Sequence, residues 1–325
     1  MDIFTHVILG SSVGGMIAAK KIGNKAFLWG ALISVIPDLD FIIMPLLETT
    51  KAMLVHRGFS HSIFFFLLIA PFLGMMIKRI EKNVVYSLAQ WTSFSFFILL
   101  TQSILDVFTI YGTGFFEPFY GKRFALSSIA VLDLFFTIPL LIALIAAFRV
   151  KEWKLKKAYA WIGVFISVLY LTFTFLNKLY VQSEFEDYLI AEDIRYEKTE
   201  IFPQVGSNFM WNCIAQDRDG FWLRNMSNFS KYNEEAQLYL RNDYYMFNYL
   251  NDERIHNLQR FTRGYYSAIQ RYDGSVDFRD LRYGKMGNEH DDQFVFTFKL
   301  IGDTDSLYRV ERINIDFREL YDAKN

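Results

Sequence analysis

Four apolar runs, 62–77, 84–105, 129–148 and 159–177, dominate the first half of the chain. A helix needs about 20 apolar residues to cross a bilayer, with a range of about 17–25, so each run is expected to be a span. Two weaker stretches accompany them. Residues 7–19 are short and rich in Gly and Ser, and residues 26–47 carry Pro37, Asp38, Asp40 and Pro45. Irregular backbone at membrane depth survives only inside protein or against water. Both stretches are therefore expected to be broken or re-entrant helices packed within the bundle.

After about residue 177 charged and polar residues recur every few positions. "DRDG" at 217–220 and "DG" at 273–274 lie between alternating aromatic runs and predict hairpin turns. "FVFTFKL" and "YRVERINIDF" alternate as half-buried strands. Segment 231–261 is expected to be more helical, with Leu238, Tyr245 and Tyr249 as its apolar positions. Arg241, Arg260, Arg263, Arg271 and Arg282 interleave with aromatics. An ordinary amphipathic sheet domain is preferred there to a surface for an anionic or sugar-bearing ligand, and "EHDD" at 289–292 is read as a solvated loop. The predicted fold is an all-α polytopic membrane helix bundle over 1–177, with four clear spans and two broken or short helices. An extramembrane α+β domain over 178–325 follows it.

Composition agrees with that division. Hydrophobic residues make up 52% of the chain and Phe numbers 34, more than soluble domains carry. A net charge of −1 argues against a general polyanion binder, so no nucleic-acid partner is expected. Cys213 is the single cysteine, which excludes an internal disulfide and a CxxC metal knuckle. The N-terminus does not read as a signal peptide, because Lys20 and Lys21 follow its apolar stretch instead of preceding it.

Charge in the connecting loops orients the bundle. Lys20, Lys21 and Lys25 follow the first element; Lys78, Arg79 and Lys82 the third; Arg149, Lys151, Lys154, Lys156 and Lys157 the fifth. Basic loops stay cytoplasmic. The N-terminus, loops 48–61 and 106–128 and everything after 178 are then expected outside. That topology gathers Asp2, His6, Asp38, Asp40, His56, His61, Asp106 and Asp133 at one face.

Ionisable groups inside a membrane are costly unless paired, metal-bound or facing water. Eight such groups with one nearby arginine cannot all be ion-paired, so a divalent cation is the economical partner. A His and carboxylate set without thiolates suits Zn²⁺, with Mn²⁺ or Fe²⁺ as alternatives. Asp38 and Asp40 would face opposite ways on a regular helix, but a turn opened by Pro37 lets both converge or lets one orient a histidine. Gly58 is expected to allow a tight turn between His56 and His61, and Ser60 to cap the helix beginning near His61. Gln102 and Asp106 are one helical turn apart and share a face. Asp2 and Asp133 are weaker candidates, since a lone Asp at a helix end also serves as a cap.

The ordered set "MDIFTHVILG", "GNKAFLWGALISVIPDLD", "HRGFSHS", "DVFTIYGT" and "RFALSSIAVLD" resembles the bacterial inner-membrane metal-dependent hydrolase family, also described as LexA-binding, inner-membrane-associated hydrolases. The resemblance is close over residues 1 to about 145. "SNFMWNCIA", "RFTRGYY" and "DLRYG" resemble the accessory region of longer members. The family is distantly similar to zinc-dependent phospholipase C and P1-type nucleases. The resemblance implies a phosphoesterase with His6, Asp38, His56, His61 and Asp106 as metal ligands. One departure stands out: Gln102 occupies the place where family members often carry a histidine, which puts one metal position in doubt.

The leading expectation is a membrane-bound hydrolase working on a lipid or polyprenyl phosphate. Asp40 would serve as second shell or general base, and Arg57 would hold a substrate phosphate. The alternatives are an ion- or proton-coupled transporter and a non-catalytic regulator keeping a structural metal. No inverted repeat supports the transporter.

Overall fold

The computed structural model describes residues 1–229, 234–285, 294–302 and 306–313. Contacts divide the chain into two units. One comprises Met1–Pro45 and Val55–Asn177, the other Leu46–Leu54 and Lys178–Asn325.

The first unit is helical: α1 (Ile3–Ile22), α2 (Lys25–Ser34), α4 (Ile63–Ile80), α5 (Leu88–Val107), α6 (Leu134–Arg149) and most of α7 (Trp153–Ala191). Helix α3 (Thr49–Val55) falls almost wholly in the second unit. Helices α1, α4, α5 and α7 are long and apolar enough to cross a membrane. Helix α2 with Pro37–Leu46, bent by 41°, makes a fifth if counted as one broken span.

Two expectations are corrected here. Residues 7–19 are not a short broken element but the interior of α1, a continuous helix of 20 residues. Asp2 caps its start, accepting from the Thr5 amide at 2.9 Å. Its small residues dilute hydropathy because they serve a helix crossing. A methyl carbon at Gly30 of α2 would stand 2.1 Å from the Gly10 carbonyl oxygen, and one at Gly14 would stand 2.4 Å from that of Ala26. Small residues let helix backbones approach this closely. The run 129–148 is likewise not one helix. Asp133 caps α6, accepting from the Phe136 amide at 2.9 Å, which leaves a helix of 16 residues. Residues 128 and 129 instead donate to the Phe108 carbonyl, tying that strand-like segment to the end of α5.

Helix α4 opens on Ser62, whose hydroxyl accepts from the Phe65 amide at 3.1 Å. Helix α5 opens on a Ser87–Gln90 capping box. The core of this unit joins Ile8, Phe27, Phe66, Trp91, Phe94 and Leu140, among others.

The second unit carries two four-stranded antiparallel sheets. One is β1 (Lys198–Pro203), β2 (Met210–Gln216), β3 (Gly220–Ser227) and β4 (Gln237–Leu240), in that order. The other is β5 (Tyr266–Gln270), β6 (Val276–Lys285), β7 (Phe294–Gly302) and β8 (Leu307–Ile313). Both expected hairpins are present, at 217–219 and 271–275. Val181, Phe185 and Leu189 at the end of α7 pack on Ile201, Trp211, Cys213 and Met226 of the first sheet. Segment 234–261 is only partly helical. Leu238 lies in β4 opposite Trp222, and helix resumes at Asp243–Tyr249 and in α8 (Glu253–Phe261). A cross-strand partner overrides the helical spacing. "EHDD", residues 231–233 and the end of "YRVERINIDF" lie outside the described residues. Of the interleaved arginines, Arg282 pairs with Asp280 and Arg271 with Asp277, as an amphipathic sheet domain requires.

Candidate functional site

Pro37 stops α2, and the chain continues as a tight 3₁₀ turn, Pro37–Ile42, that buries both Asp38 and Asp40. Asp38 reaches inward. Its Oδ2 lies 3.0 Å from His6 Nδ1 on α1 and accepts from Gln102 Nε2 on α5 at 3.0 Å; its Oδ1 lies 3.2 Å from His61 Nε2. Asp106, one turn beyond Gln102, closes the cluster. Its Oδ1 is 3.2 Å from His6 Nε2, and its Oδ2 is 3.6 Å from His61 Nε2.

Asp40 forms a layer behind these. It accepts from the Arg57 amide at 3.0 Å and the Ser60 hydroxyl at 2.8 Å, and lies 3.1 Å from His56 Nδ1. Its Oδ2 is also 3.6 Å from His61 Nδ1. The turn 56–61 therefore folds around Asp40, and two details differ from expectation. The left-handed residue is Arg57, at φ 56°, and not Gly58. Ser60 does not cap α4; Ser62 does, because the turn aims the Ser60 hydroxyl at Asp40.

Arg57 is buried. Its Nη1 donates to Thr109 Oγ1 at 3.1 Å, and its Nη2 donates to the Met1 carbonyl and lies 3.4 Å from Asp106 Oδ1. The Met1 amino group also donates to Asp106. Asp2 and Asp133 serve as the caps described above. Asp133 also accepts from the Tyr170 hydroxyl at 3.0 Å.

Hydrogen-bond accounting fixes what this arrangement can do. The Ser60 proton goes to Asp40, so its oxygen accepts from His61 Nδ1–H at 3.0 Å. A neutral His61 then turns its Nε2 lone pair toward two carboxylates. His6 Nδ1 lies 3.0 Å from Asp38 Oδ2 and 3.1 Å from the donor Gln102 Nε2, so Nε2 faces Asp106 as a lone pair only in the tautomer whose Nδ1 donates to Asp38. His6 Nε2, Asp106 Oδ2 and Gln102 Oε1 are buried and have no hydrogen-bond partner. Acceptors opposed across 3.2–3.6 Å in a dry site need either protonated imidazoles or a cation between them.

Two ligands of one tetrahedral zinc, each about 2.0–2.1 Å from it, stand about 3.4 Å apart. The donor types of His6, Asp38, His61 and Asp106 suit such an ion, and the His61 Nε2–Asp38 Oδ1 and His6 Nε2–Asp106 Oδ1 separations of 3.2 Å are near that value. Among the described residues, however, no three His, Cys, Asp or Glu side chains already surround a common metal position; the groups touch one another. The unpartnered buried atoms are ones that a bound cation would satisfy. His56 is not drawn into this set. It remains on Asp40, with its ring centroid 6.3 Å from that of His61. Burial pushes its imidazole below the ordinary value, which keeps it neutral.

The structure adds residues that sequence reasoning did not single out. Tyr111 packs edge-on against His56 at 5.3 Å, and the guanidinium groups of Arg57 and Arg123 lie 5.4 and 4.7 Å from the same ring. Arg123 Nη2 donates to the His56 carbonyl at 2.7 Å. A basic pair inside the aromatic stretch "FFEPFYGKRF" was the available signal.

All of these residues lie inside residues 1–181, which match the family described as YdjM inner membrane protein. The chain belongs to the YdjM inner membrane protein family. Membership agrees with the apolar helices of the first unit and makes this a bacterial inner-membrane protein. The YdjM match ends within α7, so the sheets of the second unit lie beyond it. No curated protein and no solved structure matches the chain.

Proposed function

We propose that the protein is a membrane-bound, metal-dependent hydrolase of phosphoester bonds of the lipid or polyprenyl phosphate type. The observation that supports this best is the buried set His6, Asp38, His61 and Asp106, whose nitrogen and carboxylate oxygen atoms face one another across 3.2–3.6 Å. These four would hold the ion, zinc by donor type, with Mn²⁺ or Fe²⁺ also compatible. When bound, such a cation supplies Lewis-acid polarisation of the phosphoryl group and activation of water.

The chain's own residues do the rest. Asp40 holds the rings of His56 and His61 in one orientation, as outer-layer carboxylates do. His56 is the part of the cluster most open to solvent, with 24% of its side chain exposed against 0–4% for His6, His61, Asp38, Asp40 and Asp106. Neutral and backed by Asp40, it takes the proton of the attacking water as the new P–O bond forms. It returns that proton to the leaving oxygen as the old bond breaks. Arg57 holds Asp106 in place, because its contacts are already internal.

Metal analysis of detergent-purified protein, followed by phosphodiester and phospholipid turnover with and without chelator, tests this. Stoichiometric metal with chelator-sensitive turnover is expected; protein free of metal after purification in metal-replete buffer overturns it. A second reading, a non-catalytic regulator with a structural ion, draws on Gln102, which contacts His6 and Asp38 through its amide nitrogen. Asp38→Asn and His61→Ala separate the two: an enzyme loses turnover and stays folded, whereas a structural site unfolds.

We further propose that the cluster and the second unit lie on the non-cytoplasmic side. Lys122→Cys should be labelled by an impermeant maleimide in intact cells; protection there with labelling after lysis reverses the orientation.

A further inference from the structure

The segment that follows α5 is bound to the turn carrying the histidines. Gly114 N donates to the Arg57 carbonyl at 2.8 Å, and the Phe115 carbonyl accepts from the Ile63 amide at 3.1 Å. Thr113 and Phe124 form an antiparallel bridge that closes the segment into a loop. Its tip turns aromatic rings outward: Phe119 is 79% exposed and Phe116, Tyr120 and Phe124 are substantially exposed, joined by Phe59 from the histidine turn. Phe119 packs on Phe64 at 4.8 Å, and Phe116 and Tyr120 pack on Phe124 at 5.4 and 6.0 Å. The rings therefore form an ordered collar. Arg123 lies on Tyr111 with its Nη2 on the His56 carbonyl and its Nε and Nη1 buried, so His56 is the member of the site that reaches solvent.

Exposed aromatics clustered beside a polar site are the pattern of a bilayer interface, where rings sit at the headgroup level. A water-soluble substrate would need the cation and not the collar.

We infer that the loop 113–124 and Phe59 seat the mouth of the site in the headgroup layer of the membrane, where a membrane-resident amphiphile with an anionic headgroup reaches it. The substrate class, but not the collar itself, rests on the hydrolase reading. The amphiphile presents its phosphoryl group at His56 while its chains remain among Phe116, Phe119 and Tyr120.

Two measurements on the full chain test this. In the first, Phe119→Cys carries a nitroxide in phosphatidylglycerol and phosphatidylethanolamine nanodiscs. Collisions with dissolved oxygen are expected to exceed those with a water-soluble nickel chelate. A label reached more readily by nickel overturns the collar. Tyr120→Cys gives the same readout if the first variant does not fold.

In the second, thermal stabilisation is titrated in detergent with dioctanoyl phosphatidate and with inorganic phosphate. Phosphatidate should act at the lower concentration, by about tenfold or more, because its chains are held in the interface as well as its headgroup. Equal response to the two probes indicates a free-phosphate site and overturns the inference. Neither measurement needs turnover. An inactive protein with a lipid-seated collar sinks only the hydrolase reading, and an active one with a water-exposed collar sinks only this inference.

Discussion

His6 Nε2 stands 3.2 Å from Asp106 Oδ1, yet no hydrogen bond joins them. The distance is ordinary and the alignment is not, as the proposed ion beside both atoms would require. Asp38→Asn and Asp106→Asn each remove an oxygen charge from that position and are expected to abolish copurified metal. Asp40→Asn only loosens the rings behind it, so metal is retained with affinity lowered about 10–100-fold. Inductively coupled plasma mass spectrometry on each purified variant distinguishes these outcomes. Equal metal content in Asp38→Asn and wild type refutes the ligand assignment.

Much of this cluster was legible in the sequence because polar groups beside apolar runs have few places to go. Pro37 announced the broken helix, and His6, Asp38, His61, Asp106 and Gln102 do meet. What could not be read was the layering. Whether His56 or His61 enters the buried set depends on the direction of a six-residue turn, and Arg57 at φ 56° sets it. Helix α1 was hidden because hydropathy scores Gly and Ser as weak, although they are what a close helix crossing requires. The segment 129–133 was counted as helix because apolarity does not reveal the Asp133 cap. Residues 46–54 joined the second unit through pairings such as Asn257 Nδ2 donating to Thr50 Oγ1, across 207 positions.

The α1–α2 crossing gives a stability prediction. Alanine is preferred to glycine within a helix by about 1 kcal/mol, so Gly30→Ala would stabilise an isolated α2. Here the added carbon would meet the Gly10 carbonyl oxygen at 2.1 Å, and overpacking costs about 1–3 kcal/mol. Backbone cannot move aside as a side chain can. Gly30→Ala should therefore lower the detergent melting temperature. A rise would show that the helices separate freely.

Cys213 makes a labelling prediction. It is fully buried in β2, and burial pushes its thiol above the ordinary value. The thiolate is the reactive form, so the native protein should resist maleimide at pH 8 and react once denatured in SDS. The same shift fixes a sign. Above the unfolded thiol value of about 8.5, the unfolded chain loses a proton that the folded one keeps, and stability falls as pH rises. Rapid native labelling would contradict the packing of this sheet.

Asp280 and Arg282 form a fully buried pair two residues apart on β6. Asp280 Oδ1 accepts from the Arg282 amide and Nε, each at 3.0 Å, and Oδ2 accepts from Nη2 at 2.6 Å. The guanidinium carbon lies 5.2 Å from the Phe261 ring and 5.5 Å from that of Tyr283, so the charge is enclosed by aromatics as well as by its partner. Removing the carboxylate leaves a cation that water cannot reach, and breaking such pairs costs about 3–5 kcal/mol. Asp280→Leu should lower the unfolding free energy by that amount, read as the fall in urea midpoint multiplied by the m-value. Adding Arg282→Met removes the stranded charge and should recover most of the loss, because a buried pair adds little over well-packed apolar side chains. The double variant separates this from a cavity effect: losses that simply add would show that packing, and not the stranded guanidinium, governs the single variant.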